Sequence, residues 1–335
     1  MTIILSHLNK IFYNLQSFLP HLSKIEYTKT MADIISIGTV TIDLYYKGES
    51  LTQTKDHFEL AIGGKYFANY FYQGLGGGGA NVAIGIEKNG LQAALIATIG
   101  KNGFKKLICE SLDEAKVTYK DYCQFEEEYT NISSVLLTEK GEKTIINYRT
   151  PHQHIFEKEA DFEILKRAKA IYMANLASVS LAERVSVLRY AKNNNIMTFA
   201  NLNVTDARRP IEQIVQILKY VDVFMINTYE FADIVKTPYR SIDFHSKITN
   251  KFQLFSPEQL LVITDGSKGS YAYYQHKVYY QPAIKDVKVV DTTGAGDAFT
   301  AGFIAEYVKS DRNIESSMNN GAEYAVKILR KLGSN

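Results

Sequence analysis

Residues 291–302 read Asp291-Thr-Thr-Gly294-Ala295-Gly296-Asp297-Ala-Phe-Thr-Ala-Gly302. Residues 287–290 before them are strand-like, and a helical pattern starts near Ala298, so the glycines fall in a strand-to-helix turn. Glycine lets the backbone turn sharply and leaves its N–H groups uncovered. Those N–H groups and the positive end of the helix together form an anion hole. Asp297 stands at its mouth, where a carboxylate can take a proton from a hydroxyl. A lone Gly-x-Gly-Asp would read first as a helix-capping aspartate; the full string exceeds what a cap requires.

Upstream of this turn, strand and helix patterns alternate from about residue 160. Strands are expected at 170–174, 197–201, 223–226 and 260–264, helices at 180–193, 210–219 and 229–236, and a hairpin at 271–274 and 277–280. Closing helices follow at 298–309 and 314–331. Such alternation predicts an α/β fold, doubly wound and mainly parallel, with helices on both faces of the sheet. Ligands of such sheets sit at the carboxyl ends of the strands.

The N-terminal half adds a strand at 33–38, then a Tyr-, Phe- and Lys-rich stretch at 44–72 that does not fit the alternation. Inserted after the first strand, it predicts a small sheet projecting over the site, a lid that excludes water. Next come Gly76-Gly77-Gly78-Gly79-Ala80-Asn81, a helix over 82–89 stopped at Gly90, and a strand at 95–99 closed by Gly100. The run from Gly74 contains G-x-G-x-x-G, but it does not follow the first strand and no acid lies near residue 99, so a dinucleotide site is rejected. Strands at 131–137 and 144–148 flank a turn at Lys140-Gly141. A Walker A sequence is absent, which argues against a P-loop kinase.

The bulk numbers narrow the class. Of 335 residues, 46% are hydrophobic and 22% charged, a globular composition. A formal net charge of +2 gives no global argument for nucleic acid or an anionic membrane. No run of about 18 apolar residues suggests a membrane span. Two cysteines, Cys109 and Cys123, give neither a metal cluster nor a disulfide framework, and a cytoplasmic location is the natural expectation. His152 and His154 lack a third ligand nearby, so a loop is expected and not a metal site. Residues 1–31 carry one acid, Glu26, and no arginine; they fit neither a secretory signal nor a transit peptide and read as a non-catalytic extension preceding one domain over 32–335.

Residues 291–302 closely resemble the C-terminal signature of the ribokinase-like (PfkB) family of carbohydrate and nucleoside kinases. Residues 76–81, Gly90 and Gly100 are similar to the family's other signature, and the resemblance spans roughly residues 32–333. It implies a three-layer ribokinase-like sandwich with a β-sheet lid, and ATP- and Mg²⁺-dependent phosphorylation of a hydroxyl, usually a primary alcohol of a sugar or nucleoside. Asp297 matches the general base, and Gly294, Ala295 and Gly296 the anion hole. Asp43, Gly77, Gly78 and Asn81 match positions that hold the acceptor's hydroxyls; many members carry lysine or another residue where this chain has Gly78, so that contact is altered. Taken alone, Asp43 also suits a turn and Asn81 a helix cap. Asn227-Thr-Tyr-Glu230 matches an N-x-x-E motif that organises Mg²⁺ through water. Thr264, Gly266 and Gly269 match a segment lying against the nucleotide phosphates, and Thr292 and Asn203 (with Asn201) fall on the nucleotide side. Many relatives bind a monovalent cation such as K⁺ near the position of Asp291. In relatives acting on ketodeoxy sugar acids, an arginine placed like Arg149 meets the carboxylate, although a surface cation explains Arg149 equally well. The acceptor stays open between sugar and nucleoside. A catalytically silent ligand sensor is the alternative from another class, and exposed lid strands suggest a homodimer.

Overall fold

The computed structural model describes residues 32–335 except 49, 50, 52, 55, 56, 139–142, 152, 153, 157 and 177; the 1–31 extension and the Lys140-Gly141 turn lie outside the described residues. The main sheet holds eight strands. These are β1 (Ala32–Ile37), β6 (Ala93–Ile96), β11 (Ala168–Met173), β12 (Met197–Ala200), β13 (Val223–Asn227), β14 (Leu260–Thr264), β15 (Ser270–Tyr274) and β16 (Lys277–Gln281). Their order is β16-β15-β14-β13-β12-β11-β1-β6. β14, β15 and β16 pair antiparallel and the rest parallel.

Successive side chains of a strand point to opposite faces, so each apolar strand feeds two cores. Ile35 and Ile37 of β1 face one cluster with helices α3 (Leu181–Asn193), α5 (Ile211–Leu218) and α6 (Thr228–Ile234), through Val187, Ile214 and Phe231. Ile34 faces the other, built from α1 (Gly78–Lys88), α2 (Lys105–Glu114), α8 (Ala295–Lys309) and α9 (Ile314–Leu329), through Ile86, Leu112, Phe303 and Met318. Two short helices, α4 (Val204–Ala207) and α7 (Ile248–Phe252), complete the α-helices among the described residues.

The second sheet has the order β10-β9-β2-β5, from β2 (Thr41–Lys47), β5 (Tyr70–Gly76), β9 (Asn131–Leu137) and β10 (Lys143–Arg149). The 44–72 stretch therefore supplies only two of its strands; β9 joins β2 in parallel. Between β2 and β5, the strands among the described residues are the two-residue pair β3 (Gln53–Thr54) and β4 (His57–Phe58).

Three local expectations change. The strand expected at 95–99 divides into β6 and β7 (Thr98–Gly100), which leaves the main sheet to pair with β8 (Gln124–Glu126). Residues 287–290 form no strand: Val289 and Val290 are exposed, no ladder partner faces them, and Val290 N donates to Leu329 O (2.8 Å). β-Propensity alone does not make a strand without a sheet edge to join. Both glycine-led helices start earlier than expected, at Gly78 and Ala295. For α1 the reason is close packing. A Cβ on Gly79 would lie 2.6 Å from Gly38 Cα, and Ser36 Oγ donates to Gly79 O at 2.8 Å. The absent side chains let the helix start touch the end of β1, which outweighs glycine's poor helix propensity.

Candidate active site

β1 leads through α1 to β6 on one side, while β11 starts the strands on the other, so the winding reverses between β1 and β11. Ligand crevices form at such switch points. Here a cavity of about 280 Å³ opens beyond the strand ends. Its floor comes from the main sheet and the starts of α1 and α8, with Gly77, Gly78, Asn175, Asn201, Glu230 and Asp297. Its roof comes from the second sheet, with Asp43, Ser133, Ile145, Asn147 and Arg149.

Asp297 is the third residue of α8, whose cap is Gly294 in the left-handed region (φ 76°). A Cβ on Gly294 would fall 2.4 Å from Ser334 Cβ, so both conformation and space demand glycine. Asp297 is therefore not the helix cap, and its carboxylate is left to face the cavity. Ala298 N donates to Gly294 O (2.8 Å), while the N–H groups of Gly296 and Asp297 belong to the first turn, which has no intrahelical acceptors. Asn81 Nδ2 donates to Asp297 Oδ2 (2.7 Å). The Asn81 carbonyl accepts from Ser334 Oγ and Asn335 Nδ2, each at 3.0 Å, which fixes the amide's orientation. Asn81 is likewise no cap, since Gly77 caps α1. Burial pushes the Asp297 carboxyl above the usual carboxylate range, opposed by the bond from Asn81; a raised pKa makes it a better base.

Asp43 is 7% exposed. Burial pushes its carboxyl up, and Asp297 and Asp291 push the same way against a hydrogen bond from Ser133. A Cβ on Gly76 would lie 2.2 Å from Asp43 Oδ2, so the first glycine of the 76–79 run makes room for this carboxylate. Gly77 has φ 95° and would clash with Thr39 O. Gly78 differs, because a Cβ there would lie 3.8 Å from Asp297 Oδ1 without a clash. Its missing side chain leaves space beside the acid.

Asn227 and Glu230 form a reciprocal capping box: Asn227 Oδ1 accepts from Glu230 N (2.8 Å) and Asn227 N donates to Glu230 Oε2 (3.1 Å). Asn227 Oδ1 thus serves the helix start, and only Glu230 of the pair lines the cavity; N-x-x-E is also a capping-box spacing. Burial pushes the Glu230 carboxyl up to about 7 against the Asn227 backbone hydrogen bond, with Asp233 and Asp297 adding repulsion. Thr264, Gly266, Gly269 and Thr292 lie outside this cavity. Thr264 ends β14 directly beside Asn227 in register, and Gly266 and Gly269 have φ of 51° and 110° in the turn that follows. Asn203 is not among the residues lining this cavity: Oδ1 caps α4 through Asp206 N (2.8 Å) and Nδ2 donates to Asn175 Oδ1 (2.6 Å). Asn201 takes the cavity position. Arg149 ends β10 at the rim.

Residues 31–335 match the pfkB family carbohydrate kinase domain. The chain belongs to that family. Its members are phosphotransferases acting on sugar hydroxyls. Among relatives, a probable chloroplastic fructokinase-6 of Arabidopsis thaliana is 29% identical over 70% of this chain and 63% of its own length. A nucleoside kinase of Methanocaldococcus jannaschii is 26% identical over 83% of this chain and 84% of its own. In fold, an Arabidopsis thaliana ribokinase complexed with ribose and ATP superposes with a TM-score of 0.76 and 23% identity, covering 90% of this chain and 94% of that one.

Within this pfkB chain, several site residues had no local sequence signal. Lys143 bonds to Asp291, Asn175 and Tyr172 line the cavity, and Ser334 and Asn335 hold Asn81. Tyr172 Oη and Asn201 Oδ1 are buried without a hydrogen-bond partner among the described residues, and both residues line the cavity. Among the described residues no helix is long and apolar enough to cross a membrane, and no cluster of His, Cys, Asp and Glu suggests a metal cage. His154 Nδ1 lies 3.0 Å from Glu183 Oε2, and His152 lies outside the described residues.

Proposed function

We propose that this protein transfers the γ-phosphoryl group of ATP to a primary hydroxyl of a sugar or related polyol. The observation carrying this is the Asn81-held Asp297 at the open start of α8, facing Asp43 across one cavity. The acceptor sits beneath the second sheet, its hydroxyls on Asp43 and Asn81. ATP lies along the ends of β13 and β14, near Thr264, Gly266, Gly269 and Thr292. Asp297 accepts the hydroxyl proton as the oxygen attacks the γ-phosphorus and the bond to the departing ADP oxygen breaks. The backbone N–H groups of Ala295 and Gly296 stabilise the charge on the transferring group. The second sheet keeps water out of the crevice.

Mg²⁺ keeps several waters and binds through one or two carboxylates plus substrate phosphates, so Glu230 at the cavity suits it without a closed protein cage. Asp43, Glu230 and Asp297 put three carboxyls into a cavity where Arg149 is the lining cation, and a polyphosphate entering it needs a counter-charge. Glu230 would hold the metal through water, and the metal would neutralise phosphate oxygens and polarise the transferring group.

This gives a pH prediction. A carboxyl with a pKa of about 7 carries a proton at lower pH, and a cation site must release it. The KM for MgATP should rise about tenfold per unit as pH falls below that value. Glu230→Gln should flatten that rise, leaving only the nucleotide's own protonation. A wild-type KM that is flat between neutral pH and the carboxylate range would remove Glu230 from this role.

ADP release measured with ribose, fructose, ketodeoxygluconate, adenosine, inosine and cytidine tests the acceptor class. Turnover with a sugar or sugar acid is the expected result. Preference for a nucleoside would favour the second reading, which rests on the nucleoside kinase relative, and ligand binding without turnover would favour a silent sensor. Preference for ketodeoxygluconate would assign its carboxylate to Arg149. The second sheet exposes Phe71, Ile146 and Tyr148, and a second copy covering them would give a homodimer. Both cysteines are free, as suits a reducing cytoplasm.

A further inference from the structure

Asp291 opens the loop that leads into the anion hole, and its side chain is 1% exposed. Four hydrogen bonds reach its two oxygens. Oδ1 receives Lys143 Nζ (3.2 Å), Thr293 N (2.9 Å) and Thr293 Oγ1 (2.7 Å), and Oδ2 receives Gly333 N (3.2 Å). Lys143 Nζ also donates to Thr293 Oγ1 at 2.5 Å. Ammonium, hydroxyl and carboxylate thus form a closed triangle one residue before Gly294, the cap of α8. The residues do not fit a monovalent cation beside Asp291, because an ammonium already sits against this carboxylate and its neighbour Thr293 and would repel a second cation. A buried carboxylate needs a cation or several donors, and here the chain supplies both.

We infer that Lys143 is a built-in cation for the Asp291–Thr293 loop, so that this protein organises its anion hole without K⁺. Lys143 is the first residue of β10, in the second sheet, whereas Asp291 and Thr293 lie 148 and 150 residues away at the start of α8. The charge that sets the loop therefore arrives with the roof of the acceptor site. Lys143 does not line the cavity. It is a positioning residue, acting on Gly294–Asp297 through Asp291 and Thr293. Its consequence for turnover rests on the kinase reading; its consequence for ion binding does not.

The test compares cations at constant ionic strength. For the wild type, replacing choline chloride by KCl at about 100 mM should change turnover less than about twofold and leave the Tm unmoved, since an ion that does not bind the native state cannot stabilise it. Crystals soaked in Tl⁺ should show no anomalous peak beside Asp291. Lys143→Met should lose at least about tenfold in turnover in choline, regain much of it with NH₄⁺ or K⁺, gain a cation-dependent rise in Tm, and acquire the Tl⁺ peak. A several-fold stimulation of the wild type by K⁺ over choline, a wild-type Tl⁺ site at Asp291, or a variant indifferent to substitution and cation alike would overturn the inference. If Lys143→Met fails to fold, the wild-type Tm and Tl⁺ measurements still decide. If the wild type phosphorylates no acceptor, the kinase reading fails, while those two measurements judge Lys143 separately.

Discussion

Asp297→Asn lowers kcat at least about 100-fold, the contribution expected of a positioned general base, and leaves the Tm unchanged or higher. The replacement keeps the shape and an oxygen that can accept from Asn81 Nδ2, so α8 and its cap persist. It removes only the group that can take the hydroxyl proton. The stability sign follows from the pKa. Burial raises the Asp297 carboxyl, so the ionised form is disfavoured in the fold relative to the unfolded chain. That penalty grows as pH rises from the unfolded towards the folded pKa and persists above it. An uncharged amide removes it. Loss of activity with retained or gained stability is the signature of a group kept for chemistry. Kinetics at saturating acceptor and calorimetry at neutral pH measure both; near-normal turnover would overturn the role of Asp297.

Asp206→Ala destabilises the protein by about 3–5 kcal/mol, the usual consequence of removing one partner from a buried ion pair. Asp206 and Arg184 are each 1% exposed. Arg184 donates to both carboxylate oxygens (2.7 and 2.9 Å), Arg209 Nε adds a third bond (2.8 Å), and Asn203 Oδ1 receives the Asp206 N–H (2.8 Å). Without the carboxylate, the Arg184 guanidinium stays buried and unpaired. Burial pushes the Asp206 carboxyl up, but the bonds from Arg184 outweigh it, so its pKa ends below the usual carboxylate value. Its contribution is therefore present above the ordinary carboxylate pKa and lost as pH falls through the lowered one. Arg184→Met should be similarly harmful, and the double variant should lose less than the sum. Urea unfolding at neutral pH measures all three; a loss below about 1 kcal/mol for Asp206→Ala would show that the network is dispensable. The same network holds the segment that carries Asn201 to the cavity floor.

What was legible in the sequence was local. Glycine runs before helices mark sharp turns wherever they occur, and strand–helix alternation from residue 160 predicts the main sheet because each helix must cover its neighbouring strands. Asp43, Gly77, Gly78, Asn81, Arg149, Glu230 and Asp297 all border one cavity. What was hidden depended on distance along the chain. Ser334 reaches Asn81 across 253 residues and Lys143 reaches Asp291 across 148; no periodicity announces such a contact. The second sheet joins β2 and β5 to β9 and β10, and nothing local in 44–72 specifies partners beyond residue 130. The caps made by Asn203 and Asn227 share one cause. A polar residue at a strand end serves a helix cap or a ligand equally well on paper, and only the packed neighbours show which hydrogen bonds are already made.

At Asp297 the γ-phosphoryl group should pass directly to an acceptor hydroxyl. A quenched single turnover with MgATP labelled in its γ-phosphate, and the acceptor found in the screen, tests it most directly. The prediction is label in a phosphomonoester of the acceptor, formed in step with ADP, and its absence over the same interval with Asp297→Asn. Label released as inorganic phosphate, or held on a protein side chain before reaching the acceptor, would contradict it.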